Sequence, residues 1–149
     1  MKKVFHFDVP RQPYQCDAAI IWCFDHRFQL GFAKFLKRTG ILNSDRIMIA
    51  GGAKCLATPE DETEREAVLR QVRKSIKLHN TKLVMIMVHS DCGAYGGLDG
   101  GFGGDAAVEA RHHQAELLRA AECLRTEISG IQVRAYFMDF EGVWEVDLA

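Results

Sequence analysis

Lys82-Leu83-Val84-Met85-Ile86-Met87-Val88-His89-Ser90-Asp91-Cys92-Gly93 is the stretch on which the reading of this chain turns. After Lys82 the run is apolar at every position, with no alternation between faces. A strand of that kind is buried on both sides, as in the middle of a parallel sheet. The run then stops at His89, and two potential metal ligands follow within four residues.

The neighbouring segments repeat the pattern. Ala18-Ala19-Ile20-Ile21-Trp22-Cys23 reads as another short buried strand. Residues 28–38 read as a helix with Phe28, Phe32, Phe35 and Leu36 inward, and Gly40 stands where a helix end tolerates positive φ. Arg46-Ile47-Met48-Ile49-Ala50 is a further strand, ending at Gly51-Gly52. Thr58-Pro59-Glu60-Asp61 predicts a helix start, with Thr58 as cap, running to about His79. Asp105 caps a long helix with a stripe of Leu117, Ala121, Leu124 and Ile128, and Gly130 ends it. Residues 132–140 form the fourth strand, and Glu141-Gly142 turns into a hairpin partner, Val143-Trp144-Glu145-Val146. Strands alternating with helices predict an α/β fold. Its sheet is mostly parallel and twisted, with four strands plus an antiparallel edge strand and helices on both faces. One domain spans residues 1–149.

Composition narrows the function classes. The formal net charge is −1, which leaves no electrostatic footprint for nucleic acid or an anionic membrane surface. Apolar residues make up 48%, enough for a core, yet no run approaches the roughly 20 residues of a membrane span. Met1-Lys2-Lys3-Val4-Phe5-His6-Phe7-Asp8 has no apolar stretch behind its lysines, so no signal peptide is expected and the expected location is cytoplasmic. The five cysteines, at positions 16, 23, 55, 92 and 123, are odd in number and scattered, which argues for ligation or burial rather than a disulfide framework.

In a doubly wound sheet, ligands gather beyond the carboxyl ends of the strands where strand order reverses. Cys23 ends the first strand and His89 the third, and in the usual order these strands are neighbours about 4.8 Å apart. Cys92, three residues on, can curl back to the same place. Two thiolates and an imidazole form a soft tetrahedral shell suited to Zn2+ with one position left over. Asp25 and Arg27 lie next to the first ligand. A bidentate guanidinium can keep a carboxylate ionised beside a metal's water; alternatively Asp25 swings onto the metal and closes the shell.

Cys23-x-Asp25-x-Arg27 paired with His89-x-x-Cys92-Gly93 resembles the zinc signature of the β-class carbonic anhydrases. The resemblance follows element order from about Ala18 to Val146. It implies that Cys23, His89 and Cys92 hold zinc and that Asp25 and Arg27 form the catalytic dyad. It further implies that zinc-bound hydroxide adds to carbon dioxide to give bicarbonate, with Gly93 at the substrate and a homodimer or higher homo-oligomer as the working form. The chain departs from the family in the turn Ala50-Gly51-Gly52-Ala53 and in residues 93–104, where seven of twelve residues are glycine.

Other readings stand beside this one. A shell closed by Asp25 or by Cys55 makes a non-catalytic zinc domain. A related hydrolase could act on carbonyl sulfide or carbon disulfide. A thiol redox role for Cys23 and Cys92 lacks a Cys-x-x-Cys motif. The glycine-rich stretch lacks the Gly-Lys-Ser/Thr of a phosphate loop; it reads either as a lid carrying Tyr95 or Phe102 or as a plain loop. His26 is a solvent-facing residue or a proton shuttle, adjacent His112 and His113 point to different sides, and Cys16 and Cys123 are structural.

Overall fold

A computed structural model describes residues 1–148. It contains one five-stranded sheet: β1 (Ala18–Trp22), β2 (Ser44–Met48), β3 (Leu83–His89), β4 (Gln132–Met138) and β5 (Val143–Val146), in the order β2-β1-β3-β4-β5. The first four strands run parallel and β5 pairs antiparallel with β4. All residues of β1 and β3 are buried, as unbroken apolar runs in central parallel strands require. The α/β architecture read from the sequence is the one observed.

Alternate residues of the central strands feed two cores. Ala19, Ile21, Val84, Ile86, Val88 and Ala135 meet Leu69, Val72, Leu117 and Leu124 on one face. Ala18, Ile20, Trp22, Met85, Met87 and Tyr136 meet Phe28, Phe32 and Leu36 on the other. The first face is covered by α2 (Lys54–Ala57), α3 (Glu62–His79) and α5 (Ala106–Glu127), the second by α1 (Gln29–Thr39). Gly40 closes α1 with φ 78°, as expected. Asp105 caps α5 by accepting the Ala107 and Val108 N–H groups.

The third helix begins later than the sequence suggested. Asp61, not Thr58, is its cap and accepts the Glu64 N–H at 3.0 Å, while the Glu64 carboxylate reaches back to the Glu60 N–H. Thr58 instead ends the short helix α2 and donates its hydroxyl to Glu116 at 2.7 Å. The second strand lies two residues earlier than expected, and β4 stops at Met138 because Asp139 turns to accept the Glu141 and Gly142 N–H groups. The glycine-rich stretch is not an irregular loop. It forms a 3-10 turn (Gly93–Tyr95) and a helix, α4 (Gly97–Phe102), entered and left through glycines with positive φ.

β2 lies on one side of β1 and β3 on the other, so strand order reverses between β1 and β3. The carboxyl ends of these two strands therefore frame the crevice where a ligand site belongs.

Candidate metal centre

Cys23 is the first residue beyond β1, His89 is the last of β3, and Cys92 precedes the turn Gly93–Tyr95. Their donor atoms lie within 4.8 Å of one another and all three residues are buried. Among the described residues this is the one such cluster of His, Cys, Asp or Glu.

The histidine is set up as a donor. Its Nδ1 lies 2.8 Å from the Ser90 carbonyl, which can only accept, so Nδ1 carries the proton and Nε2 keeps its lone pair. Nε2 is buried without a hydrogen-bond partner. An unpaired buried acceptor is costly, and a cation held jointly with the two sulfurs removes that cost. Trp22 and Phe28 fix the ring, at centroid distances of 5.6 and 4.6 Å. The two thiols are coupled to each other, with the negative charge favoured on Cys23. A hydrogen bond from Cys92 brings the Cys23 thiol down to about 4, and the same contact pushes Cys92 up. Backbone N–H groups of Asp25 and Gly51 face Cys23, and those of Ala94 and Gly51 face Cys92, which favours sulfur in its anionic form. The donor set fits zinc.

The turn after β2 supplies the floor. A Cβ on Gly52 would lie 2.2 Å from the Met87 carbonyl oxygen and 3.2 Å from the Cys23 nitrogen, and Gly52 has φ 56°. Only glycine lets this turn press against the ends of β1 and β3. Ala53 N–H, next in the chain, donates to the Met87 carbonyl at 3.1 Å.

Asp25 and Arg27 are brought together as expected. The Arg27 backbone N–H donates to Asp25 Oδ1 at 2.9 Å, its Nε lies 3.1 Å from both carboxylate oxygens, and its Nη2 donates to Oδ2 at 2.7 Å. These bonds hold the Asp25 carboxyl down at about 2. Asp25 Oδ2 is 3.9 Å from His89 Nε2, close to the three donors yet committed to the guanidinium.

Three residues that the sequence reading did not single out complete the surroundings. Asp91 binds the far side of Arg27: Nη1 donates to its Oδ2 at 2.7 Å and Nη2 to its carbonyl at 2.9 Å. Buried Glu109 accepts the Asp91 N–H at 2.6 Å. Gln29 donates its amide to the carbonyls of Asp25 and Cys23, at 2.8 and 3.2 Å, and so fixes the segment from Cys23 to Asp25. Asp91 stood inside the quoted motif, but neither partner of Asp91 is adjacent in sequence.

Other candidates fall elsewhere. Cys55 is outside the donor cluster; its Sγ lies 3.2 Å from the Gly52 carbonyl, and burial pushes its thiol up to about 12. A shell of three cysteines and one histidine, closed by Cys55, is therefore not assembled. Cys16 is buried and engages the Ala18 carbonyl and the Asp45 N–H, a structural place as expected. His26 is exposed, and His112 and His113 diverge, one exposed and one buried. Tyr95 and Phe102 pack against the His112 and His113 rings of α5, with Tyr95 donating to Glu116 at 3.1 Å. A Cβ on Gly93 would meet nothing within 4 Å.

A family model described as "Putative carbonic anhydrase" matches residues 14–148. The chain belongs to the β-class carbonic anhydrase family. Solved structures of the family share its fold. A carbonic anhydrase from Glaciozyma antarctica is 18% identical, with a TM-score of 0.62 over 91% of this chain and 84% of that one. A β-carbonic anhydrase, isoform I, from Trichomonas vaginalis is 16% identical, with a TM-score of 0.62 over 95% and 87%. No curated protein matches by sequence. Within this β-class chain, the glycines of the turn 50–53 have a packing reason, given by the approach of Gly52 to Met87. No described helix is long and apolar enough to cross a membrane.

Proposed function

We propose that the protein is a zinc-dependent carbonic anhydrase that interconverts carbon dioxide and bicarbonate, with Cys23, His89 and Cys92 as the metal ligands. The observation that carries the catalytic reading is the Arg27 clamp. Asp25 is held by the guanidinium through both of its oxygens, which supports a metal site whose fourth position would be open to solvent. Zinc in this place supplies Lewis acidity that activates a water for addition to carbon dioxide. Asp25, kept ionised by Arg27, would accept a hydrogen bond from that water and orient it. Ser90 holds the tautomer of His89, and buried aromatic rings exclude bulk water from one side. Gly93 leaves room for substrate beside Cys92. The proposed working form is a cytoplasmic homodimer or larger homo-oligomer, a reading supported by exposed Phe24, Phe140 and Trp144.

Metal analysis and stopped-flow carbon dioxide hydration on one sample test the proposal. One zinc per chain with hydration above background at about pH 8.5 is expected. Zinc-loaded protein without hydration assigns the chain to the closed, non-catalytic shell; activity on carbonyl sulfide or carbon disulfide alone assigns it to a related hydrolase.

A further inference from the structure

Arg27 stands between two carboxylates, and only one of them belongs to the dyad. We propose that Asp91 is a positioning residue that anchors Arg27 to the loop after β3, and thereby keeps Asp25 off the metal. The inference rests on the zinc reading above.

The geometry divides the guanidinium into two halves. One holds Asp25 through Nε and Nη2; the other holds Asp91 through Nη1 to Oδ2 at 2.7 Å and Nη2 to the carbonyl at 2.9 Å. Asp25 and Arg27 are two residues apart on one short turn, so on their own they can move together. Asp25 Oδ2 lies only 3.9 Å from His89 Nε2, so a small rotation carries it to a shared ion. Arg27 has a half-exposed side chain, and solvent alone does not prevent that motion. The bonds to Asp91 tie the guanidinium to a different element and remove the freedom of the pair to rotate inward.

Asp91 is itself held for this task. It has φ 52°, and Asn80 is the only other non-glycine residue with positive φ among those described. Strain of this kind persists where the surroundings fix it, and it clusters at functional sites. Here Glu109 takes the Asp91 N–H at 2.6 Å, and Asp91 Oδ1 accepts the Leu98 N–H at 2.9 Å. The two carboxylate oxygens thus have separate duties, Oδ1 to the chain and Oδ2 to Arg27.

That division gives a discriminating variant. Asp91→Asn tolerates the left-handed backbone and keeps an oxygen for Leu98, but it presents an amide donor to Arg27 in place of an acceptor. Native and variant proteins are loaded with cobalt(II), and azide binding is followed by the visible absorption of the metal. Asp91→Asn is expected to weaken azide binding about tenfold or more, because only the fraction with Asp25 off the metal accepts it. Adding Asp25→Ala to the variant restores native azide affinity, since no carboxylate remains to close the site. In metal-free protein, hydrogen exchange of the Arg27 Nε–H, which faces Asp25 rather than Asp91, becomes at least about tenfold faster in Asp91→Asn while the Leu98 amide is unchanged. Azide affinity and Arg27 exchange within about twofold of native overturn the inference. So does native cobalt protein that ignores azide, which means that Asp25 already closes the shell. Failure of the native protein to take up cobalt or zinc overturns the metal reading itself, and the inference with it.

Discussion

Arg27 holds the Asp25 carboxylate through Nε and Nη2, beside the cluster of Cys23, His89 and Cys92, and holds Asp91 through Nη1. Its value lies in placement: a half-exposed ion pair contributes little to stability, so its loss should be felt in activity. Arg27→Ala is expected to lower kcat/KM for carbon dioxide hydration by about a hundredfold at unchanged zinc content, and metal analysis beside the rate separates the two effects. Cys23→Ser should instead lose the zinc, since a hydroxyl does not ionise to replace a thiolate. The clustering of Cys23, His89 and Cys92 and the pairing of Asp25 with Arg27 were legible in sequence because these residues lie at or just past the ends of β1 and β3. Asp91 and Gln29 were not, because their roles arise from contacts that only the folded chain brings about.

At the scale of elements, the turn after β2 and the start of α3 show what a local pattern can and cannot say. Gly52→Ala places a methyl group against the Met87 carbonyl at a backbone angle that disfavours it. It should destabilise the fold by roughly 2–4 kcal/mol and reduce zinc retention, as read by urea unfolding with metal analysis. The start of α3 was misread because Thr58-Pro59-Glu60-Asp61 offers two capping residues close together. Both are used: Asp61 caps α3, while Thr58 belongs to the end of α2 and bonds Glu116 of α5, 58 residues away. Tertiary contact decided between them, and no local signal carries that information. The short helix α4 was missed for a related reason, since four glycines across residues 96–101 argue against a helix on propensity alone.

For the whole molecule, alternating strands and helices sufficed to predict the sheet, and the reversal between β1 and β3 followed from the usual strand order. The buried polar groups under α5 were less legible. His113 is completely buried between Tyr95, Phe102 and Phe137, and burial brings it down to about 4 from 6.5. Glu109, with Oε1 3.7 Å away, and Glu116 lie on the same helix. The unfolded chain binds a proton at His113 near pH 6.5, whereas the folded protein resists one until about pH 4. The folded state is therefore destabilised as pH falls through that window, by about 2–3 kcal/mol. A His113→Phe variant should lack this part of the acid loss, as shown by the gap between native and variant urea midpoints at about pH 7 and pH 4.5.

The central claim is a zinc centre with a position free for chemistry, and a metal titration addresses it most directly. Metal-free protein is supplied with increasing zinc while carbon dioxide hydration is followed by stopped flow. The account predicts activity that rises linearly to one zinc per chain and then stays level. Zinc that binds in that ratio while hydration remains at background would contradict it.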